Sequence, residues 1–152
     1  MKSEKEKMLA GQLYDPLDPQ LVEERMKTRL LIQELNNTRE DQVEERTRIL
    51  KELIPNSGAG LWLQPPFYCD YGYNMKVGER VFFNFNCVVL DVTTVTIGSR
   101  TLFGPNVQIY TATHPMDPEE RASGVEYASL LEQIIRLGCN YQAAWVTSDE
   151  GS

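Results

Sequence analysis

YGYNMKVGERVFFNFNCVVLDVTTVTIGSRTLFGPNVQIYTATH, residues 71–114, carries a beat of six. Apolar or aromatic residues stand at Tyr71, Val77, Phe83 and Val89 and, after two extra residues, at Ile97, Phe103 and Ile109. Glycine follows the leading position at Gly72, Gly78, Gly98 and Gly104. A period of six is neither that of a strand nor that of a helix. It arises when short strands form the flat sides of a triangular coil, one hexad to a side. The leading residue then points into the prism. The small residue after it permits a corner, where φ is positive or a neighbouring backbone comes close. Ile97-Gly98-Ser99-Arg100-Thr101-Leu102 and Val77-Gly78-Glu79-Arg80-Val81-Phe82 fit this template best, while Phe83 and Val89 head copies without glycine. The two-residue slip after Val89 reads as a loop at a corner. The plainer alternative is a sandwich or barrel of short strands with period-two alternation; four glycines in one phase favour the coil.

Upstream, residues 1–60 read as helical. Ser3 followed by Glu6 is a capping-box pattern, and Gly11 is placed to end that short helix. Asp18 is a natural N-cap with Pro19 at the first helical position. Val22, Met26 and Leu30, joined by Leu31 and Leu35, predict an apolar stripe. Asn36-Asn37 marks a turn, Thr38 with Asp41 starts a second helix, and its stripe is Val43, Thr47, Leu50 and Ile54. The expectation is a short helix followed by an antiparallel hairpin, with Pro55 to Gly60 as a linker. Downstream, residues 129–152 break the beat. Leu130, Leu131, Ile134, Ile135 and Leu137 give one helical pattern ended by Gly138. The division is therefore 1–60, a helical cap; 61–128, a hexad coil; and 129–152, a tail.

The net charge of −7 argues against a nucleic-acid groove or an anionic-membrane patch, since both need clustered Lys and Arg. A neutral ligand such as a sugar fits without strain. Between Tyr71 and Ala128 the basic residues are Lys76, Arg80, Arg100 and Arg121, set against six acidic ones. No apolar run reaches bilayer length, and Met1 to Ala10 lacks the apolar region of a secretory signal. Cys69, Cys87 and Cys139 have no metal-type spacing, and their odd number argues for reduced thiols in a cytoplasmic protein.

His114, the one histidine, heads the candidates for chemistry. A neutral imidazole is the side chain best suited to accept a proton near neutral pH. Pro115 restricts His114 to an extended backbone, and Met116 to Glu120 reads as an excursion forming a wall over the site. One histidine cannot build a three-histidine zinc site, so no metal is expected. In Asn84-Phe85-Asn86 one amide is expected to point outward and bind a hydroxyl or carbonyl; the competing reading is a corner Asn with left-handed φ. Asp91 and Asp70 are candidates to accept from sugar hydroxyls, or else turn residues. Tyr71, Tyr73, Phe83 and Trp62 are candidates to stack on a ring, with core packing the default.

Gln12-Leu13-Tyr14, the helical hairpin, Cys69-Asp70-Tyr71-Gly72-Tyr73-Asn74, Asn84-Phe85-Asn86-Cys87, Leu90-Asp91 and Ile109-Tyr110-Thr111-Ala112-Thr113-His114-Pro115 together resemble the maltose/galactoside O-acetyltransferase family. The resemblance runs from Met1 to about Ala128. It implies a mainly β fold: a left-handed parallel β-helix of about two coils, incomplete, with the helical hairpin as cap. It also implies a homotrimer that transfers acetyl from acetyl-CoA to a hydroxyl of maltose, glucose or a galactoside in a cleft between subunits. By position, His114 matches the catalytic base, Asn84 an acceptor-binding asparagine, and Asp70 and Asp91 fall at or beside acceptor-contacting positions. The departure begins at Ser129, where further hexads bearing the CoA-binding residues are expected and absent, as in a truncated or altered C-terminus. Two other readings stay open. One is a non-catalytic relative acting as an oligomerisation or binding scaffold; the other is a helical interaction module formed by Asp18 to Ile54.

Overall fold

In a computed structural model, which describes residues 1–128 together with 133–135, 140–141 and 145–146, the chain opens as the capping signals predict. Ser3 and Glu6 form a complete capping box before α1 (Glu4–Leu9), and Gly11 follows with φ of +67°. Asp18 accepts from the amides of Gln20 and Leu21, and Pro19 opens α2 (Pro19–Asn36). After the turn, α3 (Val43–Leu53) begins at Gln42 without a side-chain cap, so Thr38 and Asp41 are not its start. Thr38 instead donates to the Leu35 carbonyl and accepts from Arg46.

The buried faces of the hairpin differ from the predicted stripes. On α2 the buried residues are Leu21, Thr28, Ile32 and Leu35, while Val22, Met26 and Leu30 are exposed. Thr28 wins a buried place because its hydroxyl bonds both the Glu24 and the Tyr71 carbonyls. On α3 the buried face is Arg46, Ile49, Leu50 and Leu53, with Val43 exposed. Ile32, Leu35, Ile49, Leu50 and Leu53 share one core with the interior of the β coil, so the hairpin closes the open end of that coil and is buried by it.

The coil is built from short strands, all parallel. These are β1 (Trp62–Leu63), β2 (Phe67–Cys69), β3 (Met75–Val77), β4 (Phe82–Phe83), β5 (Cys87–Leu90), β6 (Val95–Ile97), β7 (Leu102–Phe103) and β8 (Gln108–Tyr110). Successive strands fall in three different sheets, and each pairs with the strand three places on: β3 with β6, β4 with β7, β5 with β8. Register is constant, with Val77 opposite Ile97, Phe83 opposite Phe103, and Val89 opposite Ile109. These leading residues are all buried, as the beat of six requires.

Two details of the beat are corrected. Cys69, not Tyr71, stands opposite Val89, so the two-residue slip after Val89 has its counterpart after Cys69. It is a constant feature of one edge of the prism rather than a single loop. The positive φ values at non-glycine residues of this coil fall three residues after the leader, at Arg80 (54°), Asn86 (62°), Arg100 (61°) and Asn106 (63°). Gly78 serves the other purpose: a Cβ there would lie 2.5 Å from the Ser99 amide nitrogen of the next turn.

The tail is also corrected. Rather than leaving the coil, β11 (Gln133–Ile135), β12 (Asn140–Tyr141) and β13 (Trp145–Val146) pair in parallel with β6, β7 and β8. The predicted helical pattern at 130–137 is a strand where it is described; Leu130, Leu131, Leu137 and Gly138 lie outside the described residues. Between β8 and β11 the chain leaves the prism, as Met116 to Glu120 suggested. The excursion is a hairpin of β9 (Ala112–Thr113) and β10 (Tyr127–Ala128) around α4 (Pro118–Ala122), which Asp117 caps. Among the described residues no helix is long and apolar enough to cross a membrane.

Candidate active site

The slipped edge of the prism builds the site. There the loops Asp70–Asn74, Asp91–Thr94 and Thr111–His114 stack, each beginning where a strand ends. In the middle layer Asp91 is fully buried, and its Oδ1 accepts the amides of Asp70 (3.1 Å) and Tyr71 (2.9 Å). Asn74 donates to the Asp91 carbonyl at 2.8 Å. In the next layer Thr111 donates to the Leu90 carbonyl and accepts from the Thr93 amide. Side chains that hold the loops thus recur in successive turns.

His114 follows β9, and its side chain is 45 % exposed. In the antiparallel hairpin Thr113 pairs with Tyr127, so Glu126 falls opposite His114 by register. The side chains follow: Glu126 Oε1 lies 4.0 Å from His114 Nε2. The other carboxylate oxygen accepts from the Tyr14 hydroxyl at 2.7 Å. Tyr14 and Glu126 also exchange main-chain hydrogen bonds at 3.1 and 3.2 Å, a single antiparallel bridge that ties the α1–α2 linker to the hairpin. Tyr14 is buried, and burial together with the Glu126 hydrogen bond pushes its phenol far above the ordinary range, so it remains a donor.

Asp70 lies beside this group. Burial raises its pKa, Arg25 opposes the shift, and Glu126 adds to it, so the two carboxylates feel each other. Asp70 also lines a cavity of about 500 Å³ between α2 and the coil, with Met26, Arg29, Leu30, Tyr68 and Leu90. The tyrosines named as ring platforms are tied down. Tyr71 accepts from Arg25 at 2.8 Å, and Tyr73 donates to Glu24 at 2.6 Å. Phe83 is buried in the prism and Trp62 is half-buried under the Arg46 guanidinium.

Glu126 links the two candidates, lying 4.0 Å from His114 and close enough to Asp70 for their charges to interact, while Asp91 is the buried support of the Asp70–Tyr71 turn. Asp91 has no exposed atom with which to touch an acceptor; its contact with the candidate residues is the hydrogen bond it accepts from the Asp70 amide. Asn84 is on a different edge, half-buried, its Oδ1 accepting the Phe85 amide at 2.8 Å. Asn86 is the corner asparagine with left-handed φ, and it donates to Asn106 at 2.7 Å. The sequence alone did not single out Glu126, or its contacts with His114 and Tyr14. The signal was the hairpin register, which the long excursion between Thr113 and Tyr127 concealed. Among the described residues no cluster of three His, Cys, Asp or Glu side chains is placed to hold a metal.

Comparison with known proteins points one way. Residues 7–58 match the description of the maltose acetyltransferase hexapeptide capping motif. The chain is 46% identical over 145 residues to nodulation protein L of Rhizobium leguminosarum bv. viciae, covering 95% of this chain and 73% of that protein. A maltose O-acetyltransferase from Clostridium difficile 630 superposes with a TM-score of 0.81 at 46% identity, over 84% of this chain and 68% of that one. A hexapeptide-repeat acetyltransferase from Vibrio cholerae, solved with acetyl coenzyme A, superposes at 0.73 with 34% identity, over 84% and 68% of the two chains.

Proposed function

The chain belongs to the maltose/galactoside O-acetyltransferase family of hexapeptide-repeat enzymes, and from that membership we propose that it transfers the acetyl group of acetyl-CoA to a hydroxyl of a sugar, with His114 as general base. The observation that carries the reading is His114 itself. The lone imidazole is half-exposed, 4.0 Å from a carboxylate, on a hairpin fixed to both coil and cap.

In this mechanism the sugar hydroxyl gives its proton to the imidazole as its oxygen attacks the thioester carbonyl. The C–S bond then breaks and the imidazolium returns the proton to the CoA thiolate. Asp70, open to the cavity beside α2, accepts from another hydroxyl of the acceptor, and Asp91 fixes the turn that presents it. Asn84 follows β4, on a different edge of the coil, and does not line the cavity that Asp70 borders. It fits the reading as a residue lent to a neighbouring subunit's cleft in a left-handed, trimeric assembly. Met26, Leu30, Tyr68, Phe85 and Leu102, all large and exposed, supply apolar surface for such contacts.

The test is acetyl transfer from labelled acetyl-CoA to maltose, glucose and a galactoside. His114→Ala is expected to lose at least about a hundredfold in kcat, the size typical of a lost general base. Equal turnover by the variant removes the assignment.

A further inference from the structure

We infer that Glu126 is the electrostatic partner of His114, and that the Tyr14 hydroxyl holds it in that role, so that the helical cap is part of the catalytic apparatus. The inference rests on His114 being the base. It starts from topology: the hairpin register puts Glu126 across from His114, and Tyr14 pairs with Glu126 on the opposite side of the same strand.

The two oxygens of Glu126 have different work. Oε2 is occupied by a buried phenol at 2.7 Å, and Oε1 is left facing the imidazole at 4.0 Å. The Glu126 side chain is 23 % exposed, half as open as the 45 % of His114. Its charge is therefore screened less than that of a surface pair. When His114 takes the acceptor's proton, positive charge spreads over both ring nitrogens. A carboxylate at 4.0 Å stabilises that state more than the neutral ring. A gap of this length closes through one water or a small rotation.

Tyr14 matters because a free glutamate side chain samples many rotamers. Its hydroxyl donates to Oε2 at 2.7 Å and so selects the rotamer that aims Oε1 at the ring. Glu126 is thus a positioning and charge-balancing residue acting through His114; it forms and breaks no bond itself.

The experiment uses three variants of the full chain. Glu126→Gln keeps the shape and an acceptor for Tyr14 while removing the charge, and is expected to lower kcat about tenfold, with acceptor KM within about twofold. Glu126→Asp keeps the charge and is expected to recover part of the loss. Tyr14→Phe is expected to lower kcat about threefold, yet to add almost nothing in a Glu126→Gln background, because both act through one contact. The second readout needs no activity. Because the chain has one histidine, the ring nitrogens give one set of NMR signals. These are expected to shift in Glu126→Gln and, less, in Tyr14→Phe. Unchanged ring signals in Glu126→Gln, or additive effects of the two substitutions, overturn the inference. Should the wild-type chain transfer no acetyl group, the proposed function fails, while the ring signals still decide the Glu126–His114 contact.

Discussion

The Oδ1 of Asp91 accepts the Tyr71 amide at 2.9 Å across one turn of the coil, while its Oδ2, equally buried, meets no partner among the described residues. Burial pushes this carboxyl up to about 7, against the lowering effect of the Tyr71 amide. Between its unfolded value near ~4 and that figure, the native state keeps a proton the unfolded chain has released. Stability therefore falls as pH rises through this window and levels off above it. Asp91→Asn keeps an acceptor for both amides and removes the titration. Unfolding midpoints followed by circular dichroism from pH 4 to 8 are expected to fall more steeply for the wild type than for the variant. Parallel curves would refute the account; Asp70, raised in the same sense, is common to both proteins and cancels.

Arg46 is 1% exposed and lies over the Trp62 ring at 5.2 Å. Its guanidinium donates to Thr38, the Arg39 carbonyl and Glu40, while Nη1 has no partner among the described residues. It links the α2–α3 turn to the first strand of the coil. Arg46→Ala is expected to cost about 2–4 kcal/mol, through lost packing and stranded acceptors. Urea unfolding measures the loss, and Trp62 emission is expected to shift as its ring gains water.

Inside the prism Phe83 makes two ring contacts. It stacks on Phe103 with centroids 4.4 Å apart and meets Phe67 edge-on at 5.5 Å. Phe83→Ala breaks both, and is expected to cost about 3–5 kcal/mol in urea unfolding. Phe83→Leu, which keeps more of the volume, should cost less than half as much.

How much of this was legible beforehand depended on where each signal was local. The coil was legible because its leading residues repeat, and the caps at Ser3 and Asp18 because the residue types of a cap lie within three positions. The buried face of α2 was not. Its stripe of Val22, Met26 and Leu30 is the more apolar one, but Thr28 satisfies the Tyr71 carbonyl, and that partner lies 43 residues away. Capping by Thr38 failed for a similar reason, since Arg46 claims its hydroxyl. The motif named His114 and Asp70 as candidates, and both fall on the slipped edge of the prism. Glu126 was hidden because the hairpin that brings it to His114 closes over a helix-containing excursion whose length no short motif fixes.

Gly72 lies where cap and coil touch, and its replacement is a sharp test of how they join. Its φ is +75°, and a Cβ would stand 2.0 Å from the Leu53 carbonyl oxygen at the end of α3. That oxygen belongs to backbone, so relief requires the helix to move away from the Tyr71 turn. Gly72→Ala is therefore expected to destabilise by about 2–4 kcal/mol, combining the left-handed backbone with overpacking. Gly124 separates the two effects. It has a φ of +81° but nothing within 4 Å of an added Cβ, so Gly124→Ala carries only the backbone cost, about 1–2 kcal/mol. Because the Tyr71 turn also carries Asp70, Gly72→Ala should weaken acceptor binding beyond what its stability loss explains. Urea unfolding of both variants, with acceptor KM measured below the transition, checks the pair; equal losses would show that α3 yields freely and that the cap is not pinned at this turn.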